Sequence, residues 1–469
     1  MCPIPKDSSM RHISEKYRAI TLSSIIGKVL DLIILMKESD KSLATNTLQY
    51  GFKEHYSTTL CTATLMEVIT RFLGGNSHAY GLFLDASKAF DRVDYIKLFH
   101  TLESKGMNIL TLRCLVNMYT NQKLCVCWNG EKSDYFIPRN GVKQGGVLSP
   151  LLFSTYLDGI ISSLQDKHSG CFVGPYYMGF IGYADDVCLI APTISALKSM
   201  TSVCEHYAEE YKIMFNGAKS KFVRFCKTKN CLFCSKTVSC VTVCGEILQS
   251  SKCANHLGHT VFSNLQDDSD NVVNTFYRQY NVFRSNFKCT PSVMRNRLFQ
   301  SFCCSFYGIQ LCLLSGMKRL CTAYRKCIRD IWRVPYHTHC RLLPSLSNTL
   351  CEKHMFMKRF VKFATNSMQH KAPEISYLFK NCINSDSMFA KNLSFVICNC
   401  AITAHELCNS TVKHNTDLVK SKCNEQCKDS QTCCTGKAIT ELCMMRDGTF
   451  ESIYDLTDIY NFINFHYLN

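Results

Sequence analysis

The stretch that most constrains this chain is Met178-Gly-Phe-Ile-Gly-Tyr-Ala-Asp-Asp-Val-Cys-Leu-Ile-Ala191, in which two adjacent carboxylates, Asp185 and Asp186, interrupt an apolar run. Both flanks are β-prone, so the pattern reads as a hairpin with the carboxylates at its tip. Side chains that are costly to bury unpaired are thereby held at an edge, facing a cation or water. A divalent metal is the cation that suits them. An ordinary turn, in which Asp is a common residue, is the competing reading, and the rest of the chain has to decide between the two.

The chain has 469 residues, 46% of them hydrophobic, which is enough for two or three domains with sizeable cores. Lys and Arg number 53 against 37 Asp and Glu. That excess of 16 positive charges suits a polyanionic partner such as nucleic acid, and it also fits a basic protein with no such partner. Thirty-one cysteines would suit a small secreted scaffold. However, Met1-Cys-Pro-Ile-Pro-Lys-Asp7 has no apolar signal core, and the cysteines scatter among core-like positions. A reduced intracellular chain, in nucleus and cytoplasm, is therefore expected. The longest uncharged run, Leu298 to Met317, carries Gln300, Tyr307, Gly308 and Gln310, which predicts a buried helix pair and no membrane span.

Taken in order, Tyr17 to Lys28 is a β-prone run passing into a helix-like Val29 to Met36, so the domain reads as truncated before its first strand. Ser57 or Thr58 is a candidate cap for a helix from Thr59 to Phe72. Ala79-Tyr-Gly-Leu-Phe-Leu-Asp85 is a buried strand that delivers Asp85 to a sheet edge, and Asp94 caps the helix that follows. Leu124 to Trp128 and Tyr135 to Ile137 form a hairpin about Asn129-Gly130. Asn140-Gly-Val-Lys-Gln-Gly-Gly146 is a glycine-rich loop, after which Ser149 and Pro150 fit the cap and first position of a helix reaching about Leu164. Short strands fill the interval from Phe222 to Thr260. The expected fold class is α+β, an antiparallel sheet backed by helices. From Ser269 the pattern turns helical, with Arg325, Arg329 and Arg333 recurring beside Lys326 as a solvated face or a groove for a phosphate backbone.

Asp85 on one strand end, with Asp185 and Asp186 on a hairpin, could converge on one sheet edge. Such a set can hold two Mg²⁺ ions ~3.5–4 Å apart for in-line phosphoryl transfer, with no general-base histidine required. These motifs, in this order, resemble the reverse transcriptases of non-LTR (LINE-type) retrotransposons. The resemblance runs from about Pro3 to about Arg333. It rests on Tyr17-Arg-Ala-Ile-Thr-Leu-Ser, Tyr50-Gly-Phe-Lys-Glu-His-Tyr-Ser-Thr-Thr, Phe83-Leu-Asp-Ala-Ser-Lys-Ala-Phe-Asp-Arg-Val, Gly141-Val-Lys-Gln-Gly-Gly-Val-Leu-Ser-Pro, Tyr183-Ala-Asp-Asp, Asn216 to Lys221, and His256-Leu-Gly.

The resemblance implies a right-hand polymerase: partial fingers and palm over 1–262, a helical thumb over 263–340, and a cysteine-rich C-terminal region over 341–469. Asp85, Asp185 and Asp186 are implied as ligands of two Mg²⁺ ions, with Mn²⁺ as an alternative. Ala86 is implied to offer its backbone carbonyl, and Lys219 to protonate pyrophosphate, with Lys221 as the neighbouring candidate. Phe90 takes the place of a steric gate against a 2′-hydroxyl. Gln144 and Gly145 would line the template and incoming base, Tyr183 would join the substrate-binding residues, and Arg18 and Lys53 would contact the triphosphate, Lys53 standing where Arg is usual. His256 to Gly258 would belong to the primer grip. The implied partners are an RNA template, a DNA primer, dNTPs and the element's own transcript in a ribonucleoprotein, with no membrane.

Two spacings invite zinc: Cys231-x2-Cys234-x5-Cys240-x3-Cys244, and Cys423-x3-Cys427 with Cys433 and Cys434 beyond. The first lies among strand-like residues and the second has no suitably placed later histidine, so zinc is not expected. The expected function is RNA-directed DNA polymerisation; the alternative is a catalytically inactive or co-opted nucleic-acid-binding remnant.

Overall fold

The computed structural model describes residues 1–5, 17–75, 77–86, 88–226, 240–400 and 402–428. The chain divides into two compact units, Met1–Leu265 and Gln266–Asn469. Cys231 and Cys234 of the first zinc spacing, and Cys433 and Cys434 of the second, lie outside the described residues.

The first unit opens on an antiparallel ribbon, β1 (Cys2–Pro5) and β2 (Tyr17–Ile20), with Ile4 opposite Arg18. Helix α1 (Ile25–Glu38) is longer than the expected Val29 to Met36, because the Ser24 hydroxyl accepts from Gly27 N and starts it four residues earlier. Helix α2 (Thr58–Gly74) is capped by Ser57, whose hydroxyl accepts from Leu60 N. β3 (Ala79–Asp85) is buried along its length up to Asp85, and a 3-10 turn follows at Ala89–Arg92. α3 (Tyr95–Ser104) is capped by Asp94 and α4 (Ile109–Thr120) by Asn108. β4 (Cys127–Trp128) and β5 (Glu131–Lys132) close about Asn129-Gly130, both at positive φ, as an Asn-Gly hairpin turn requires.

α5 (Ser149–Asp166) has Leu148 at its cap, so Ser149 and Pro150 stand one position further in than expected. Proline is tolerated there because the first-turn N–H groups have no partner within the helix. β6 (Phe172–Val173) and β7 (Tyr176–Tyr177) pair before β8 (Phe180–Tyr183) and β9 (Asp186–Ala191). α6 (Ile194–Glu210) turns Leu197, Met200, Cys204 and Tyr207 inward, as the helical spacing predicts. β10 (Lys221–Phe225), β11 (Cys240–Val243), β12 (Glu246–Ser251), β13 (Cys253–His256) and β14 (His259–Phe262) complete the unit.

Six strands form one sheet in the order β11-β12-β10-β3-β9-β8, against which α2 and α6 pack. The sheet is not wholly antiparallel as expected. β10 runs parallel to β12, which the long connection through β11 permits, since parallel neighbours need a crossover. β3 lies between β10 and β9, antiparallel to both, and its alternate residues Leu82 and Leu84 are almost fully buried. The fold is thus mixed α+β with its catalytic-type motifs on central strands.

The second unit is helical over its described residues: α7 (Ser269–Asn286), α8 (Ser292–Phe302), α9 (Lys318–Trp332), α10 (Leu343–Ser347), α11 (Glu352–Met368), α12 (Pro373–Asn381), α13 (Met388–Cys400), α14 (Ala404–Asn409) and α15 (Val412–Lys428). Its aromatic core joins Phe276, Phe299, Phe306 and Tyr324. The uncharged run from Leu298 is not a helix pair. It is the end of α8 followed by 3-10 turns at Ile309–Leu311 and Leu314–Gly316, broken by Phe306 and Gly308 at positive φ. Among the described residues no helix is long and apolar enough to cross a membrane.

Candidate active site

The strand register sets the geometry. β3 pairs with β9 so that Asp85 faces Asp186, and β8 pairs with β9 so that Tyr183 also faces Asp186. The turn itself is Ala184-Asp185, so the expected tip is displaced by one residue and Asp186 is the first residue of β9. Neighbouring antiparallel residues have Cα atoms about 4.5–5.5 Å apart, which brings the carboxylates of Asp85 and Asp186 to one edge with Asp185 beside them.

The electrostatics agree. Burial, then the carboxylates of Asp185 and Asp85, push Asp186 up to about 6 from an ordinary 3.8. Burial raises Asp185 too; its own backbone hydrogen bond opposes this, Asp85 adds to it, and Arg18 draws it back down. Asp186 lies exposed at this edge, where the like charges of Asp185 and Asp85 repel it. That repulsion is the part a cation would relieve.

Two segments hold this edge in shape. Asn216 N donates to Asp85 O at 2.8 Å, and Asp85 N donates to the Ser220 hydroxyl at 3.2 Å. The turn from Asn216 to Ser220 is thereby fixed against the end of β3, with Ala86 bridging to Phe215. It carries Lys219, whose ammonium stands 3.7 Å from Asp85 Oδ2 with its side chain 65% exposed.

The second segment is Leu48 to Gly51. Tyr50 N donates to Gly182 O at 2.7 Å and Gly182 N donates to Leu48 O at 3.0 Å. Fully buried Gln49 accepts from Ala184 N at 2.8 Å and donates to Ala184 O at 3.3 Å. Ala184 sits at φ +55, a conformation uncommon outside glycine, and the Gln49 carboxamide holds it there. Sequence reasoning missed Gln49; its only signal is a lone amide between Leu48 and Tyr50, two residues before a glycine. Gly51 is required next to it, since a Cβ would come within 2.7 Å of Ala184 N.

Each of the remaining candidates is held by contacts of its own. Phe90 stacks on buried Phe153 with ring centres 4.7 Å apart and planes 18° from parallel, so its ring is braced from behind. The glycine-rich loop is sewn to the same turn: Val142 N donates to Phe90 O at 2.8 Å and Gln144 Nε2 to Asp91 at 3.4 Å. Gly145, at φ +97, backs onto Thr21, whose N–H donates to Gln144 O at 2.7 Å. This ties the loop to the strand that carries Arg18. Tyr183 lies beside Phe52, ring centres 6.2 Å apart. Lys53 is differently engaged: its ammonium donates to the carbonyls of Thr45 at 3.0 Å and Asn46 at 2.5 Å. His256 is buried against Thr62, 2.9 Å from its hydroxyl, and burial lowers its titration to about 3, so it stays neutral.

In the second unit the basic residues of α9 line a cleft of 620 Å³ with Arg325, Lys326, Arg329 and Arg333 on its wall. Arg325 pairs with Glu352, and Arg329 donates to Thr338 O at 2.8 Å, so part of the row serves the unit's own fold.

The family profile described as reverse transcriptase (RNA-dependent DNA polymerase) matches residues 4–261, more than half of the chain. The chain belongs to the reverse transcriptase family. The resemblance to enzymes of non-LTR elements is borne out by the curated relatives. The Pol polyprotein from the type-2 retrotransposable element R2DM of Drosophila melanogaster is 29% identical over 202 residues, 42% of this chain and 18% of that protein. The RNA-directed DNA polymerase from the mobile element jockey of the same species is 24% identical over 358 residues, 70% of this chain and 37% of that protein. The chain therefore spans less than two fifths of either relative. A telomerase structure from Candida albicans, solved with a fragment of telomeric RNA, is 15% identical, covering 79% of this chain and 58% of that one with a TM-score of 0.41.

Proposed function

We propose that this chain is an RNA-directed DNA polymerase of a non-LTR retrotransposon, extending a primer 3′-hydroxyl with dNTPs on an RNA template. The observation that carries the reading is the register of β3 against β9, with Asp85 opposite Asp186 and Asp185 next to it at the turn. Three mutually repelling carboxylates are a hard oxygen donor set, which fits Mg²⁺, with Mn²⁺ as the alternative. A pair of such cations would supply Lewis acidity to the attacking hydroxyl and to the departing pyrophosphate.

The chain's own residues do the rest. Lys219, exposed and 3.7 Å from Asp85, is free to swing toward a leaving pyrophosphate and give it a proton. Exposed Arg18, close enough to bias Asp185, draws the triphosphate toward the same edge. Lys53 reaches a phosphate only by releasing the carbonyls of Thr45 and Asn46. Phe90, backed by Phe153, meets the sugar of the incoming nucleotide as a fixed wall, and Ala86 offers its carbonyl. Gln144, Gly145 and Tyr183 line the template base and the nucleotide. In this reading 1–262 supply fingers and palm, 263–340 the thumb, whose basic cleft takes a phosphate backbone, and 341–469 a C-terminal region. The partners are template RNA, a DNA primer and the element's own transcript.

Oligo(dT)-primed extension on poly(A) tests this. Incorporation of dTTP by the wild type, lost after Asp185→Asn with Asp186→Asn, is expected. No incorporation by the wild type, with salt-sensitive template-primer binding intact, would instead identify a non-catalytic binding remnant.

A further inference from the structure

In the second unit, Cys351 forms the N-cap of α11, His354 lies in the first turn of the same helix, and Cys423 lies on α15, which packs along α11. One ligand atom from each falls within 4.8 Å of the others. Cys351 Sγ is 2.8 Å from His354 Nδ1. His354 is 2% and Cys423 3% exposed, while Cys351 at the helix end is half-buried.

We propose that Cys351, His354 and Cys423 bind a zinc ion that ties the start of α11 to α15. Two thiolates and an imidazole are the borderline-soft donors that select zinc and disfavour Mg²⁺. Bonds of about 2.3 Å to sulfur and 2.0–2.1 Å to nitrogen at a tetrahedral angle separate S and N by about 3.6 Å. Seating the ion therefore requires the 2.8 Å contact to open by about 0.8 Å, within the reach of side-chain rotation at a helix end. Each thiol gives up its proton, the imidazole binds neutral, and a fourth position is left for a further donor. Local spacing could not reveal this site, because Cys351 and His354 lie far upstream of Cys423. The spacings that argue against zinc, Cys423-x3-Cys427 and the Cys231 cluster, include neither Cys351 nor His354. The site is independent of the polymerase reading, since none of its residues lies in the first unit.

The test uses the full chain, purified with a reductant and no chelator, and measures zinc by elemental mass spectrometry. Cobalt reconstitution supplies a spectrum. About one zinc per chain is expected in the wild type and in the Asp185→Asn, Asp186→Asn variant, dropping at least fivefold in Cys351→Ser with Cys423→Ser. The wild type should lose melting temperature on chelation, and the double variant should not. His354→Cys gives a readout that does not depend on the folding of that variant: it keeps three ligands and should retain cobalt with stronger thiolate-to-cobalt charge transfer. Zinc content unchanged in the Cys351, Cys423 double variant overturns the proposal. So does a wild type that takes up neither zinc nor cobalt, or one whose Cys351 and Cys423 are recovered as a disulfide without metal.

Discussion

Gln49→Leu keeps the side-chain volume close to native and removes the carboxamide that holds Ala184. In the native protein that carboxamide accepts from Ala184 N at 2.8 Å and from Gly51 N at 3.2 Å, and donates to Ala184 O at 3.3 Å, at a fully buried position. Leucine strands two N–H groups and a carbonyl, at roughly 1–3 kcal/mol for each left unsatisfied. Letting Ala184 leave its positive φ recovers about 1–2 kcal/mol. The balance favours a relaxed turn over a strained one. Asp186 stays in place, held by the ladder to β3, while Asp185 loses its position. If about 1.4–2.7 kcal/mol of transition-state stabilisation goes with it, kcat falls roughly ten- to a hundredfold. The KM for template-primer should barely move, because Gln49 is buried and touches no substrate in this reading. Single-nucleotide extension at saturating template, with a thermal melt of the same sample, measures both effects. Ala184→Gly should restore part of the loss in the double variant, because glycine adopts the positive φ without help. A kcat within twofold of wild type for Gln49→Leu, with an unchanged melt, would refute the clamp.

Because Asp186 titrates near 6 in the folded chain and near 3.8 unfolded, folding takes up a proton between those values. Metal-free protein then loses stability through this group as pH rises from about 4 to about 6. Mg²⁺ should therefore raise the melting temperature more at about pH 7.5 than at about pH 5, and equal shifts would count against the site. Buried His256, lowered to about 3, contributes the opposite slope below about 6.5 with and without Mg²⁺, so it cancels in the comparison. Lys219→Ala should lower kcat about tenfold or more and Lys221→Ala far less, with Lys219→Arg failing to rescue because arginine does not release its proton; equal effects at 219 and 221 would remove the proton-donor role. Phe90→Val should raise ribonucleotide use relative to deoxynucleotide by about tenfold or more, a discrimination of about 1.4 kcal/mol, and an unchanged ratio would assign the ring to the core with Phe153.

What could be read from the residues was whatever local pattern controls. Burial along Ala79 to Asp85 marked a central strand, and caps such as Ser57 and Asp94 announced their helices because the hydroxyl or carboxylate bonds within its own first turn. The run from Leu298 to Met317 misled for the same reason: absence of charge reports burial, not conformation, and Gly308 with Phe306 breaks the helix where hydropathy is silent. Long-range partners were not legible. Gln49 meets Ala184 across 135 residues, and an amide between Leu48 and Tyr50 does not reveal which peptide group it will find. Arg325 shared a helical face with Arg329, which suggested a groove, yet its guanidinium was matched to Glu352 on another helix. Motif order could bring Asp85 and Asp186 to one edge because a sheet has few ways to pair central strands. A pairing such as Cys351 with Cys423 depends on how one helix lies along another, and local spacing carries no register for that.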